Sequence, residues 1–171
     1  MATTGDAADA YRRAGLPART VRRTVVFLKP DVLVLLDQVE LDEARPVQAR
    51  FQVFNEDGAG KTSVAGSEFT ISRPGATLRA TVTGLGPGRL AAANLPLPAA
   101  SGVYPFVEYT SDAAVVHEFV TVGTSAPAGG EHGTLAVTRE RDGWSIEGMH
   151  RGQAVKLHLG SAAQGVPTVE L

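Results

Sequence analysis

Residues 22–39 read Arg-Arg-Thr-Val-Val-Phe-Leu-Lys-Pro-Asp-Val-Leu-Val-Leu-Leu-Asp-Gln-Val. Two apolar, β-branched runs flank Pro30-Asp31, a pair in which proline presets φ and aspartate bonds its own backbone. The pattern predicts a β-hairpin. With Lys29 opposite Val32, one face carries Val25, Phe27, Val34 and Leu36, and the other carries Val26, Leu28, Leu33 and Leu35. Both faces are apolar, which predicts a hairpin at the centre of a layered fold. The same register sets Asp37 opposite Thr24 and diagonal to Arg22, on a face otherwise apolar. A carboxylate there is costly unless bonded or paired. Asp37 is therefore expected to act as a structural latch that bonds Thr24, Arg22 or nearby backbone.

Downstream, Val47–Phe54 alternates, with Val47, Ala49, Phe51 and Val53 inward and Gln48, Arg50 and Gln52 outward, as a half-buried strand does. Lys61–Val64, Glu68–Ser72 and Ala76–Thr83 read as further strands. Gly84–Gly102 is dense in Gly, Pro and Ala and reads as a long loop or linker. Val103–Tyr109 and Ala113–Val122 follow as strands, then a glycine-rich loop over Gly123–Gly133. Near the C-terminus, Arg151-Gly152 reads as a two-residue hairpin turn, with Trp144 opposite Leu159. Trp144, Ile146, Gly148, Val155, Leu157 and Leu159 then share one face. Glu147 falls opposite Lys156 on the other, a favourable cross-strand pair. Asp142-Gly143 is a second hairpin signal, which brings Leu135 and Val137 to the Trp144 face and Arg139 to the edge of the indole. About ten or more short strands, with no long amphipathic helix, predict an all-β antiparallel sandwich.

The chain has 171 residues, 43% of them hydrophobic and 20% charged, which suits one domain with a real core. The expected division is an N-terminal arm, 1–18, and a sandwich, 19–171. A net charge of −2 supplies no global basic field, so neither nucleic acid nor a membrane surface is an expected partner. No apolar run approaches membrane-spanning length. With no cysteine, thiolate nucleophiles, disulfides and cysteine metal sites are excluded.

Candidate chemistry is sparse. The histidines are His117, His132, His150 and His158, and neither an HxH nor an HExxH spacing occurs. His150 sits at the turn and His158 lies opposite Ser145, about five residues along or on the order of 16 Å away, too far to share a metal. His117 and Glu118 sit in an apolar strand, so one of them is expected to face inward. The acids Asp42-Glu43, Glu56-Asp57 and Glu140 with Asp142 fall at turns, where backbone reasons favour them. Asn55-Glu56-Asp57-Gly58 clusters oxygen ligands but lacks the ordered spacing of a calcium loop. Gly84–Gly88 has no following helix to present amides to phosphate, and reads as a turn. Trp144 is read as core rather than as a sugar platform. No catalytic residue, metal ligand or cofactor is assigned. For substrate contact the candidates are Arg22, Arg23, Tyr104 and Tyr109, and for structural roles Asp37, Arg22 and Trp144.

A set of short motifs adds to this. Gly5-Asp6, Ala10-Tyr11, Val21-Arg22-Arg23, Phe27-Leu28-Lys29-Pro30-Asp31 and Asp37 resemble the C-terminal β-sandwich of the heparinase II/III-like polysaccharide lyases, a group that includes oligo-alginate lyases. The resemblance runs over Gly5–Glu40 and weakens to strand pattern beyond. It implies a parent enzyme that cleaves uronic-acid polysaccharides by β-elimination. A neutralised carboxylate acidifies the uronate C5, a Tyr or His takes the proton, and the glycosidic oxygen leaves. The family's His-x-His-x-Asp pattern and its later His-Asn pair would precede the position of Gly5, and this chain contains neither. Tyr11 matches a scaffold motif and is not assigned the catalytic tyrosine's role.

The expectation is an accessory domain, inactive alone. Its partners would be an upstream helical catalytic domain of the same parent chain and an acidic polysaccharide. Residues 1–18 would be the end of that upstream region, and the parent periplasmic or secreted. The alternative is a free-standing carbohydrate-binding or protein-interaction sandwich.

Overall fold

The structure, a computed structural model, describes residues 1–160 and 169–170. It begins with β1 (Ala2–Asp6), helix α1 (Ala8–Arg13), β2 (Ala18–Leu28), β3 (Val32–Arg45) and β4 (Gln48–Gln52). Then come β5 (Lys61–Ala65), β6 (Glu68–Arg73), β7 (Ala76–Gly84), β8 (Gly88–Asn94) and β9 (Pro105–Ser111). The chain continues with β10 (Ala114–Pro127), β11 (Thr134–Glu140), β12 (Gly143–His150), β13 (Gln153–Gly160) and the short β14 (Val169–Glu170). All pairings are antiparallel. Among the described residues no helix is long and apolar enough to cross a membrane.

The strands form three sheets: a seven-stranded one ordered β1-β2-β3-β10-β7-β6-β5, a four-stranded one, β11-β12-β13-β14, and a three-stranded one, β4-β9-β8. Side chains alternate faces along a strand, and β10 uses both. Val120 and Val122 pack with Val26, Val34 and Leu36 under Trp144, Ile146, Leu157 and Leu159 of the four-stranded sheet. Phe119 points the other way and joins Phe69, Ala80 and Val82 against Ala49, Val107 and Tyr109 of the three-stranded sheet. The large sheet is thus the middle layer of an all-β sandwich, and the first hairpin lies within it. That is why both faces of the hairpin are apolar.

The hairpin's register differs from the expectation by one residue. Leu28 pairs with Val32, Val26 with Val34, Thr24 with Leu36 and Arg23 with Asp37. The reason is the turn. A two-residue hairpin loop needs φ > 0 at its first central position, which proline cannot adopt. Lys29 therefore joins Pro30 and Asp31 in a three-residue loop. The faces change partners accordingly. Val26, Leu28, Val32, Val34 and Leu36 lie under the four-stranded sheet, with Val25, Phe27, Leu33 and Leu35 on the reverse.

The second hairpin has the expected register, with Trp144 opposite Leu159 and Glu147 opposite Lys156. Arg151 and Gly152 both have positive φ, 49° and 73°, as the two-residue turn demands. Leu135 and Val137 pack on the Trp144 cluster, and the Arg139 guanidinium lies 5.3 Å from the indole centroid.

Two further differences concern glycine-rich stretches. The expected loop Gly84–Gly102 contains strand β8, which pairs with β9 from Gly88 to Asn94. Gly84 and Gly88 bear on the Tyr109 phenol, where a Cβ at either would collide with the ring. Strand β10 runs on to Pro127, so the loop after it is shorter than Gly123–Gly133. Residues 2–6, in the segment expected to be an arm, pair along β2 as the edge strand β1. Helix α1 follows, with Ala8 buried against the sheet.

Candidate functional site

The three-stranded sheet does not cover the whole face of the large sheet. Beside it, over β1, β2 and β3, runs a groove of about 990 Å³. Its floor carries Val21, Arg23, Val25, Asp37 and Val39, one wall is β1 with Tyr11 and Leu16, and the other is Pro46–Arg50 with Phe119. Arg23 donates two hydrogen bonds to Asp37, Nε to Oδ1 at 2.6 Å and Nη2 to Oδ2 at 3.0 Å. Burial pushes the Asp37 carboxyl above its ordinary range, and the Arg23 hydrogen bonds and charge pull against it. The sequence led to the expectation that Asp37 bonds Thr24, Arg22 or nearby backbone; its partner is Arg23. The one-residue register change accounts for this, because it moves Arg23 directly opposite. Thr24 bonds Thr4 at 2.9 Å instead.

Arg22 turns to the groove's other acid, Asp6, at 3.3 Å. Asp6 also accepts the Ala8 amide at 2.9 Å and the Val21 amide at 3.3 Å. These bonds, the Ala8 amide foremost, hold its carboxyl below the ordinary range. Arg45 and Arg50 pair with Glu43 and Glu108. The groove thus offers half-apolar shape and charges that already have partners. Such a surface suits docking more than proton transfer.

The other candidates disperse. Tyr109 is buried, its ring 4.9 Å from Phe119, so it presents no face to a ligand. Tyr104 is half-buried and lies outside the groove. Trp144 is 1% exposed and donates Nε1–H to Glu118 at 2.8 Å. Glu118 also accepts from Gln38 at 2.7 Å. His117 and Glu118 both face inward, into different layers, because the central sheet has no outer face there. His117 is tied to Ser111 at 3.0 Å and to the Ala114 carbonyl at 2.9 Å. The latter contact makes Nε2 the donor. His132 approaches Thr124 at 3.1 Å. In the Asn55–Gly58 turn, both Asp57 oxygens bond Arg73 at 2.6 Å, which draws its carboxyl below the ordinary range.

Two groupings escape sequence reasoning. The donor atoms of Glu140, Asp142 and His158 lie within 4.8 Å of one another on the outer face of the four-stranded sheet. The His158 contacts, 3.6 Å to Glu140 and 3.8 Å to Asp142, are longer than hydrogen bonds, and both acids are exposed. The other is Asp31 with His150, 2.7 Å apart although 119 residues separate them.

No family model and no curated protein matches the chain. Solved structures do. A heparan sulfate lyase, HepC, from Pedobacter heparinus matches 86% of this chain and 25% of its own, with TM-score 0.64 and 10% identity. The heparinase III product of gene BT4657 matches 82% of this chain and 24% of its own, at 0.61 and 14%. Another heparinase III structure matches 82% and 23%, at 0.59 and 11%. At these identities the likeness is one of fold. The chain spans about a quarter of the length of these proteins, and its three-sheet sandwich is a fold that heparinase III and heparan sulfate lyase chains contain.

Proposed function

We infer that the chain is the C-terminal accessory sandwich of a heparinase II/III-like polysaccharide lyase, without the catalytic residues. Its parent would cleave uronic-acid polysaccharides by β-elimination. The observation that carries the reading is the fold likeness over most of this chain and a quarter of each lyase. The groove supports the reading. Its half-apolar floor, Val21, Val25 and Val39, is the kind of surface a neighbouring domain covers. In this reading residues 1–18 join the sandwich to an upstream helical catalytic domain. The groove packs against that domain, and Arg22 and Arg23 stand at the side of the substrate cleft.

The test begins with the DNA upstream of the Met1 codon. An open frame encoding a helical region with His-x-His-x-Asp is expected. A stop codon and ribosome-binding site just before Met1 would overturn the reading. The isolated chain is expected to release no unsaturated uronate from heparin-like or alginate-like polymers. Turnover by it would overturn the claim that the sandwich lacks catalysis.

A further inference from the structure

At the turn end of the first hairpin lies a second concavity of about 490 Å³, which shares no residue with the groove. It forms where the loop Lys29-Pro30-Asp31 meets the turn Arg151-Gly152 and the start of β13. Lys29, Asp31, His150, Arg151 and Lys156 line it. Asp31 and His150 are 7% and 5% exposed, so two polar side chains are buried at its base. The Asp31 carboxylate sits 2.7 Å from His150 Nε2 and 2.8 Å from Arg151 Nε. The second contact is an ion pair whose geometry falls short of a hydrogen bond, which leaves Asp31 Oδ2 without a hydrogen-bond partner, and His150 Nδ1 has none either.

Arg151 is the unusual residue. Among the described residues it is the one non-glycine with positive φ. This conformation costs a branched-at-Cβ or long side chain about 1 kcal/mol, and turns use Asn or Gly to avoid it. Residues held in sparsely populated backbone regions cluster at ligand clamps and active sites. The Nε edge of the guanidinium lies against Asp31, Nη2 donates to the Ser125 carbonyl at 3.5 Å, and the side chain remains 46% exposed. Lys29 has no acidic partner among the described residues, and Lys156 reaches only Glu147, at 3.2 Å. Lys29, Arg151 and Lys156 thus line a concavity whose base holds one buried carboxylate, against which Arg151 alone is paired.

We propose that this seam binds an oxyanion, a carboxylate or sulfate group, between Lys29 and Arg151, with Asp31 and His150 positioning the arginine. The seam is independent of the proposed lyase role, since the groove lies elsewhere on the sheet.

The test is amide NMR of the whole chain titrated with sodium sulfate, with potassium glucuronate, and with sodium chloride at matched ionic strength. Saturating shifts confined to Lys29–Val32 and Arg151–Lys156 are expected with at least one oxyanion and not with chloride. Saturation with sulfate alone assigns a sulfate-type ligand, and saturation with glucuronate a sugar carboxylate. Lys29→Gln and Arg151→Gly are each expected to weaken binding at least tenfold. The exposed Lys29→Gln carries the test if the turn variant does not fold. Linear drift common to all three salts, or saturation unchanged in both variants, would overturn the proposal.

Discussion

The two hairpins at the heart of the molecule obey the same physics and read differently. In β12–β13 the turn pair Arg151-Gly152 specifies a two-residue loop, and every cross-strand partner follows from it. In β2–β3 the pair Pro30-Asp31 looks equally decisive, yet a third residue enters the loop and each partner shifts by one. Hydrophobic alternation cannot arbitrate there, because both faces of the first hairpin are buried. On β12–β13 the outer face is polar, with Glu147, Lys156 and His158, so a one-residue slip would bury charge. Register is legible where one face is wet, and where both are dry it rests on the turn alone.

Four sites sharpen this contrast. The largest effect is expected from Trp144→Ala, which empties the contact between the second hairpin and the central sheet. It should cost about 3–5 kcal/mol in chemical denaturation. Next comes Arg23→Ala in the first hairpin. It leaves the Asp37 carboxylate buried without its guanidinium and should cost about 2 kcal/mol, a figure lowered by the exposure of Arg23. The pH dependence has a defined sign. Because the folded state raises the Asp37 pKa, this group's contribution is fully present below the ordinary carboxylate pKa. It is lost as pH rises through the folded value. Arg23→Ala removes a downward influence and should steepen that fall, whereas Asp37→Asn should flatten it. Denaturation midpoints measured across the acid range check both.

A smaller effect is expected at Gly152→Ala, about 1 kcal/mol, because φ there is 73°. An unchanged melting temperature would mean that the turn does not set the second hairpin's register. The smallest is the Glu147–Lys156 pair, whose side chains are 55% and 79% exposed. A double-mutant cycle should return about 0.3 kcal/mol, falling with salt.

The all-β class, most strands and the Trp144 core were readable because alternation is a local signal. Strand β8 was not, since Gly88–Asn94 is mostly exposed and only Leu90 packs. Strand β1, small and polar, owes its conformation to β2. The groove arises because a three-strand sheet lies on a seven-strand one, and no window of sequence encodes that mismatch. The pairing of Asp31 with His150 is equally non-local. Asp37 was recognisable as a residue needing a partner, but the identity of the partner depended on the register.

Strand β10 has a consequence for how this sequence can change. Because Phe119 serves one core and Val120 the other, substitutions at either position are felt in a single layer. An insertion or deletion of one residue within Phe119–Val122 would exchange the two layers' side chains all along the strand. Lineages of this domain should therefore accumulate point changes in β10 while gaining and losing length only beyond its ends, in loops such as the one that follows Pro127.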